Sequence, residues 1–513
     1  MFRRRKTKTT LFIILTLIVM VLNVGGISAA KDIEGKDELV VAMAYDATSL
    51  DPHEVNDVPS SNAMFQIYDT LVKVDENGNI EKSVAKEYER VDDLTYRFTI
   101  KEGIKFHNGN EMTAEDVKFS IKRAGDSAAI AHIFGDIDND SFKIHDKYTL
   151  SFKLNNPNTG FLASLAHTGG SILNKEAVMA AGDNFSNNIV GSGPFKFERW
   201  DKNSQIVLNR FNDYHGKKPE FSKMTIKIIP EATSRTIGLE TGELDVAYQI
   251  TTNDISRVEA HPDLKLIRKL DNSISYLGFN NQKEPFDNIK VRKAINYAIN
   301  VPAIVNAVFR GVGEVAEGPM SPNVMYHNGE LKKYEYNIEK AKQLLEEAGY
   351  PDGFKTKIWT NEKEARVDMA TIIQSQLKQI GIDVETEILE WGAYLDGLSR
   401  GEQDMFIIGW TCQTTDPDLA LYAPFSKETI GSGANFAFFR DDEINELLLK
   451  GRQIENSSER ENIYKDIQEK IVEKAPWVFL ANGEAVIGTA NYIENLNLTP
   501  FGFHPLHEIQ FKN

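Results

Sequence analysis

Residues 404–418 read Asp-Met-Phe-Ile-Ile-Gly-Trp-Thr-Cys-Gln-Thr-Thr-Asp-Pro-Asp. The apolar run Met405, Phe406, Ile407 and Ile408 lacks polar alternation, which is the pattern of a strand buried on both faces. That pattern belongs to open α/β sheets, and it limits the chain to architectures that cover a sheet on both sides. Gly409 ends the run, Trp410 stands at its carboxyl end, and a polar loop runs on to Pro417 and Asp418. A strand that delivers a large aromatic and several hydrogen-bonding side chains into one loop suits the wall of a ligand crevice, because open α/β sheets bind beyond the carboxyl ends of their strands. A core tryptophan followed by an exposed turn gives the same pattern.

A chain of 513 residues is too long for one core, so two or three domains are expected. The first 30 residues read as a targeting segment. Arg3, Arg4, Arg5, Lys6 and Lys8 make a basic start, residues 11–24 are apolar but short for a membrane span, and Ser28-Ala29-Ala30 offers small residues for cleavage. An uncleaved amino-terminal anchor is the alternative. Five of the 58 Lys+Arg and none of the 75 Asp+Glu lie in this segment, so without it the net charge moves from −17 to −22. So acidic a body is a poor partner for nucleic acid or anionic lipid. Cys412 is the one cysteine, which excludes an internal disulfide framework, a thiolate zinc site and a lipid anchor on an amino-terminal cysteine.

Along the chain, strand patterns alternate with helix patterns. Strands are expected at 39–45, 96–100, 104–106, 150–154, 195–197, 206–208, 224–229, 244–247, 275–280, 357–359 and 384–388, and a hairpin turn at Asn77-Gly78. Helices are expected at 60–72, at 113–124 with Thr113 as cap and Asp116 three residues on, at 232–241, 291–299, 337–348, 367–380 and 391–400, and twice between 441 and 473. Residues 77–190 read as a compact α+β unit, and the chain from 275 onward as a second α/β lobe.

The catalytic inventory is thin. Gly191-Ser192-Gly193 is followed by Pro194 and Phe195, so it is no nucleophile elbow. The chain has no His-Glu-x-x-His, no phosphate-binding lysine loop and no dinucleotide fingerprint. His107, His167, His215 and His504 are scattered and read as structural. Asp416 and Asp418 flank a proline, either as a carboxylate pair or as a turn cap.

Longer motifs carry more. Residues 93–117 read Asp-Leu-Thr-Tyr-Arg-Phe-Thr-Ile-Lys-Glu-Gly-Ile-Lys-Phe-His-Asn-Gly-Asn-Glu-Met-Thr-Ala-Glu-Asp-Val, and are followed in order by Gly191-Ser192-Gly193-Pro194-Phe195, Leu239-Glu240-Thr241-Gly242-Glu243-Leu244-Asp245, Val291-Arg292-Lys293-Ala294 and the 390–418 stretch. Together these resemble the family 5 extracytoplasmic solute-binding proteins, the peptide-, glutathione- and nickel-binding subunits of ABC importers, across essentially the whole chain after residue 30. The resemblance implies an α/β, two-lobed periplasmic-binding-protein-like fold of the large, three-part type II variety. One lobe would comprise residues 31–76, 192–268 and 486–513, with 77–191 as its extra subdomain. The other would comprise 269–485, and crossovers near 273–279 and 485–488 would form a hinge. The implied protein is no enzyme and needs no cofactor or metal. It is exported to the periplasm or outer face of the cytoplasmic membrane, monomeric, and partnered by a permease and an ATPase. Its ligand is an oligopeptide, dipeptide or glutathione; a metal chelate or a sugar on the same fold, and an exported hydrolase, are the alternatives.

The resemblance also suggests site residues. Peptide-binding relatives carry an aspartate three positions after the tryptophan, where it receives the peptide's amino terminus; Gln413 stands there, and a neutral amide cannot form that charge-assisted bond. Thr411, Asp416 and Asn435 belong to the same loop region. Arg366, at the start of a helix, is the candidate partner for a ligand carboxylate, with a surface arginine as the alternative. Trp391 and Trp410 are candidate walls, with core packing as the alternative. Tyr45 and Asp46 after the first strand, and Thr168, complete the expected set.

Overall fold

The computed structural model describes residues 35–75, 79–431, 434–455 and 457–512. The targeting segment and the Asn77-Gly78 turn lie outside the described residues. One sheet organises the molecule. From edge to edge its strands are Asp383–Leu389, Lys355–Asn361, Met405–Thr411, Leu264–Phe279, Trp477–Ala490, Val246–Ala247, Glu38–Met43, Lys223–Ile228, Gln205–Arg210 and Phe195–Asp201, with the short Glu314–Val315 also paired to Trp477–Ala490.

The sheet has two halves. In one, Glu38–Met43 runs parallel to both Lys223–Ile228 and Val246–Ala247. In the other, Lys355–Asn361 runs parallel to both Asp383–Leu389 and Met405–Thr411. Each half has its own core. Leu39, Val41, Ile206 and Ile226 cluster in the first, and Leu277, Ile358, Ile373 and Ile407 in the second. The 16-residue strand Leu264–Phe279 and the 14-residue strand Trp477–Ala490 pair antiparallel along their length and pass through both halves. Leu264 and Val486 pack with Ala42 and Leu239 at one end, whereas Leu277 and Val478 pack in the second core at the other.

A separate four-stranded antiparallel sheet, ordered Ala85–Arg90, Thr95–Ile100, Thr149–Leu154 and Ile137–Ile144, makes the α+β unit. Phe98 and Phe152 stack at 6.0 Å within its core. Helix Ala114–Gly125 covers it and begins with the expected capping box between Thr113 and Asp116. The apolar cluster of this unit continues into Tyr276, Phe406, Leu419 and Trp477, so the unit packs on the second half as well as the first.

Two elements differ from the sequence reading. The helix expected at 60–72 is Val58–Met64 only. The carbonyls of Gln66 and Ile67 accept from Phe195 and Gly193 backbone N–H groups at 3.0 and 2.8 Å, which takes them out of any helix. A Cβ on Gly193 would stand 2.6 Å from the Ile67 carbonyl carbon, so glycine allows this close approach. Residues 104–106 form a turn with a single bridge, Lys105 to Glu111, instead of a strand. Among the described residues no helix is long and apolar enough to cross a membrane.

Candidate functional site

Three parallel strands of the second half end at one place and hand their next residues to it. After Asp383–Leu389 comes Trp391, first residue of helix Trp391–Arg400, which Glu390 caps through a 3.0 Å bond from Ala393 N–H. Lys355–Asn361 ends on buried Asn361 and leads to Lys363 and Arg366 at the start of helix Glu364–Leu377. Met405–Thr411 brings Trp410 and Thr411, with Gln413 just beyond. From the other half, Tyr45 follows Glu38–Met43 and faces Asn361 and Arg366 across the gap. The carboxyl ends of strands from both halves thus converge on one cleft, as open α/β sheets require.

Arg366 is its centre. Nη1 donates to Asn361 Oδ1 at 2.9 Å, and the guanidinium stands 5.5 Å over the Trp391 ring. Its path runs over Gly409, where a Cβ would lie 3.7 Å from Nη2. Among the described residues no carboxylate pairs with Arg366. Burial lowers its pKa, against the opposing effect of the Tyr394, Tyr45 and Tyr276 hydroxyls. Lys363 is only half covered yet sits so deep that burial, helped by Arg366, lowers its ammonium to about 8. Burial likewise raises the Tyr45 phenol and the carboxyl of Asp271, which lies on the long strand Leu264–Phe279 and also adjoins this cleft.

The two tryptophans differ in setting. The indole Nε1 of Trp410 donates to the Leu419 carbonyl at 3.2 Å, and its ring meets His132 of the α+β unit edge-on at 6.2 Å. Trp391 Nε1 is buried with no partner among the described residues, and so is Oε1 of Gln413, a side chain only 5% exposed. Thr411 is half-buried and pairs in register with Ser273.

Four expected site residues have other work. The Asp46 carboxylate accepts from Trp200 Nε1 at 3.0 Å and from Asn203 N–H at 2.7 Å, tying loops within the first half. The Thr168 hydroxyl is buried against Ser61 Oγ at 3.0 Å. Asp416 caps helix Pro417–Phe425, and its two oxygens accept from Arg460 Nη1 and Nη2 at 2.9 and 2.8 Å. The Asn435 amide is consumed by Ser426 and Phe439 backbone groups, which holds the loop it lies in. Each of these side chains is engaged by its own surroundings in this structure. Asn361 and Lys363, which sequence reasoning did not single out, stand beside Arg366 and follow a recognisable strand end.

Two lobes joined by a pair of continuous strands, with a cleft lined from strand ends of both and holding an unpaired cation, define a solute-binding protein of the two-lobed periplasmic type. The chain belongs to family 5 of the bacterial extracellular solute-binding proteins, whose middle-region model matches residues 79–432. It is 31% identical over 477 residues to heme-binding protein A of Haemophilus influenzae, covering 86% of each chain. It is 29% identical over 484 residues to a glutathione-binding protein of Pectobacterium atrosepticum, covering 92% of each. The solved periplasmic binding protein DppA of Helicobacter pylori, in complex with the peptide STSA, superposes with a TM-score of 0.86 at 33% identity, over 93% of this chain and 98% of that one. The protein is therefore a binding protein and not an enzyme, the solute-binding component of an ABC importer acting outside the cytoplasmic membrane.

Proposed function

We propose that the cleft captures a peptide-like solute bearing a free carboxylate, which Arg366 binds between Trp391 and Trp410. The observation that carries this reading is the guanidinium itself. It is half-buried, is held by one neutral side chain at 2.9 Å, and has no carboxylate partner among the described residues. A partly buried cation without a counter-ion is costly, and a planar fork near a helix amino terminus suits an incoming carboxylate. The peptide STSA bound by the Helicobacter relative and the glutathione named for the Pectobacterium one both belong to this chemical class.

In this reading the lobes are 31–76, 192–268 and 486–513 with the 77–191 unit, and 269–485. They close on the ligand by hinging where Leu264–Phe279 and Trp477–Ala490 cross between them. The closed monomer then delivers its load to the permease and ATPase. The test is calorimetric titration of the wild type and Arg366→Met with the peptide Ser-Thr-Ser-Ala, glutathione and the carboxyl-terminal amide of the peptide. Loss of one partner of a buried charge pair costs about 2 kcal/mol or more, so Arg366→Met should bind the free acids at least roughly 30-fold more weakly, and no longer prefer acid over amide. Unchanged affinity in the variant, or a wild type that binds none of these probes, sinks the reading.

A further inference from the structure

Among the described residues the large sheet narrows to two strands at one place. On the side of the second half, the pairing of Met405–Thr411 with Leu264–Phe279 ends at Thr411 and Ser273. The pairing of Glu314–Val315 with Trp477–Ala490 ends at Glu314 and Asn482. On the side of the first half, residues 264–270 pair without a break with 490–484, so 485–488 are held in a regular ladder. Between these ladders Leu270 faces Glu484 and Ile274 faces Asn482, which leaves Asp271, Asn272 and Ser273 opposite Gly483 alone. This is a bulge, where ladder bonds lapse and a strand bends. The same strand pair has a second irregularity, between Ser275 and Tyr276, but that one lies within the second half. Leu480 there is buried in the core, and its carbonyl accepts from Ala316 N–H at 3.2 Å.

The first break is shaped by its own side chains. Asp271 Oδ1 accepts from Ser273 N–H at 2.8 Å, and the Ser273 hydroxyl bonds to the same carboxylate. The Asp271 carbonyl accepts from Ser321 Oγ at 2.9 Å. Gly483 leaves the room that the bulge occupies: a Cβ there would collide with Ser273 Oγ and come within 2.9 Å of Asp271 Oδ1. Asn272 holds a chain segment on either side. Its N–H donates to the Pro500 carbonyl at 2.7 Å, in the carboxyl-terminal segment. Its carbonyl accepts from Cys412 N–H at 3.0 Å, and its Nδ2 donates to the Thr414 carbonyl at 3.0 Å, in the loop after Trp410.

We infer that residues 271–273 opposite Gly483 are the pivot on which the two halves close, and that Asn272 is the positioning residue through which the loop after Trp410 turns with that pivot. A bend at 485–488 would break ladder hydrogen bonds, whereas a bend at the bulge breaks none, and hinges are a few residues that absorb such a change of torsion. The inference rests on the closure reading above and adds where the bend falls and which loop it carries.

The test uses Ser-Thr-Ser-Ala as probe, calorimetry for affinity, and small-angle scattering of free and saturated protein for closure. Gly483→Ala puts a methyl group against Ser273 Oγ and should displace the pivot. Affinity should fall about 10-fold, and the free variant should already differ in radius of gyration from the free wild type. Adding Ser273→Ala removes the colliding oxygen and should return both readouts to those of Ser273→Ala alone. Gly488→Ala controls for strain in the same strand, since its Cβ would stand 2.6 Å from Leu239 Cδ1 inside the regular ladder. It should lower Tm and leave affinity and radius as in the wild type. Asn272→Ala keeps both backbone bonds and frees only the Thr414 carbonyl. It should bind about 10-fold more weakly while still closing, when saturated, to the wild-type radius. A Gly483→Ala protein that matches the wild type, a defect that Ser273→Ala does not relieve, or the same defect in Gly488→Ala overturns the pivot. Wild-type affinity in Asn272→Ala overturns its positioning role. A wild type with one radius, free and saturated, overturns the closure reading and this inference with it. A wild type that does not bind the probe sinks the peptide-like reading alone, because the radii of the free variants still decide the pivot.

Discussion

Substituting Asp418 by Asn should change how stability depends on pH, with a sign fixed by burial. Asp418 is 6% exposed, follows the helix cap Asp416, and carries an Oδ1 with no partner among the described residues. Its other oxygen lies 3.1 Å from Arg452 Nε, and Arg452 also reaches Asp136 of the α+β unit at 2.9 Å while stacking on Tyr422 at 3.9 Å. Burial outweighs the attraction of Arg452 and Arg460 and pushes the carboxyl from its usual 3.8 up to about 6. A raised acid is bound to its proton more tightly in the folded chain than in the unfolded one. Its contribution is therefore fully present below the unfolded pKa and is lost as pH rises through the folded one. The shift corresponds to about 3 kcal/mol in full, of which about 2 is realised between pH 7 and about pH 4.5. Buried histidines act in the opposite direction. His53 and His167 are lowered by burial to about 3, and His107 and His504 to about 4, so they remove stability as pH falls below the unfolded histidine value. The observable is accordingly a difference. Denaturant unfolding of wild type and Asp418→Asn at the two pH values should show the wild type gaining about 2 kcal/mol on the variant as pH falls. A difference that stays constant with pH, or grows as pH rises, refutes the dominance of burial over the attraction of Arg452 and Arg460.

Trp410→Ala should weaken binding of Ser-Thr-Ser-Ala by about 2 kcal/mol in calorimetry while leaving the unfolding temperature of the free protein within a few degrees, because in the proposed reading the ring contacts the ligand, and its indole makes one backbone bond. Small-angle scattering with and without saturating peptide should show a smaller radius of gyration in the complex, as hinging about two continuous strands requires; an unchanged radius on saturation counts against closure.

The second lobe was readable wherever a strand or helix carries its own signal. The alternation at 384–388, the run at 405–408 and the cap at Asn337 are local features, and each lies in the expected element. Trp391 and Arg366 closely follow such elements, so placing the strands also placed these two side chains together. What local pattern did not show has non-local causes. Asp416 looks like a loop carboxylate until Arg460 arrives from a helix 44 residues away and takes both its oxygens. Met64, Ile67 and Leu71 have helical spacing and are buried as that spacing implies, but the backbone between them is claimed by Gly193 and Phe195 from across the lobe. The bulge at residues 271–273 was invisible for a related reason. Its segment reads Lys-Leu-Asp-Asn-Ser-Ile, without alternation, and a bulge exists only relative to the partner strand it departs from.

Charge placement explains how closure can depend on occupancy. The lobes meet on the side of the α+β unit through Arg452 and Asp136, and through Thr159, whose N–H donates to the Arg452 carbonyl at 2.8 Å. Such a partly buried ion pair recovers in attraction roughly what it loses in desolvation, so it orients the lobes and adds little net drive to bring them together. Around Arg366 the balance is adverse. Arg366, Lys363 and Asp271 are all shifted toward their neutral forms by burial, and no ion pair among them lies within 4 Å. In the proposed reading, closing on an empty cleft strips water from Arg366 and returns no partner to it. A ligand shifts a two-state equilibrium by its differential affinity alone, so on that reading the carboxylate that Arg366 receives is also what favours the closed form.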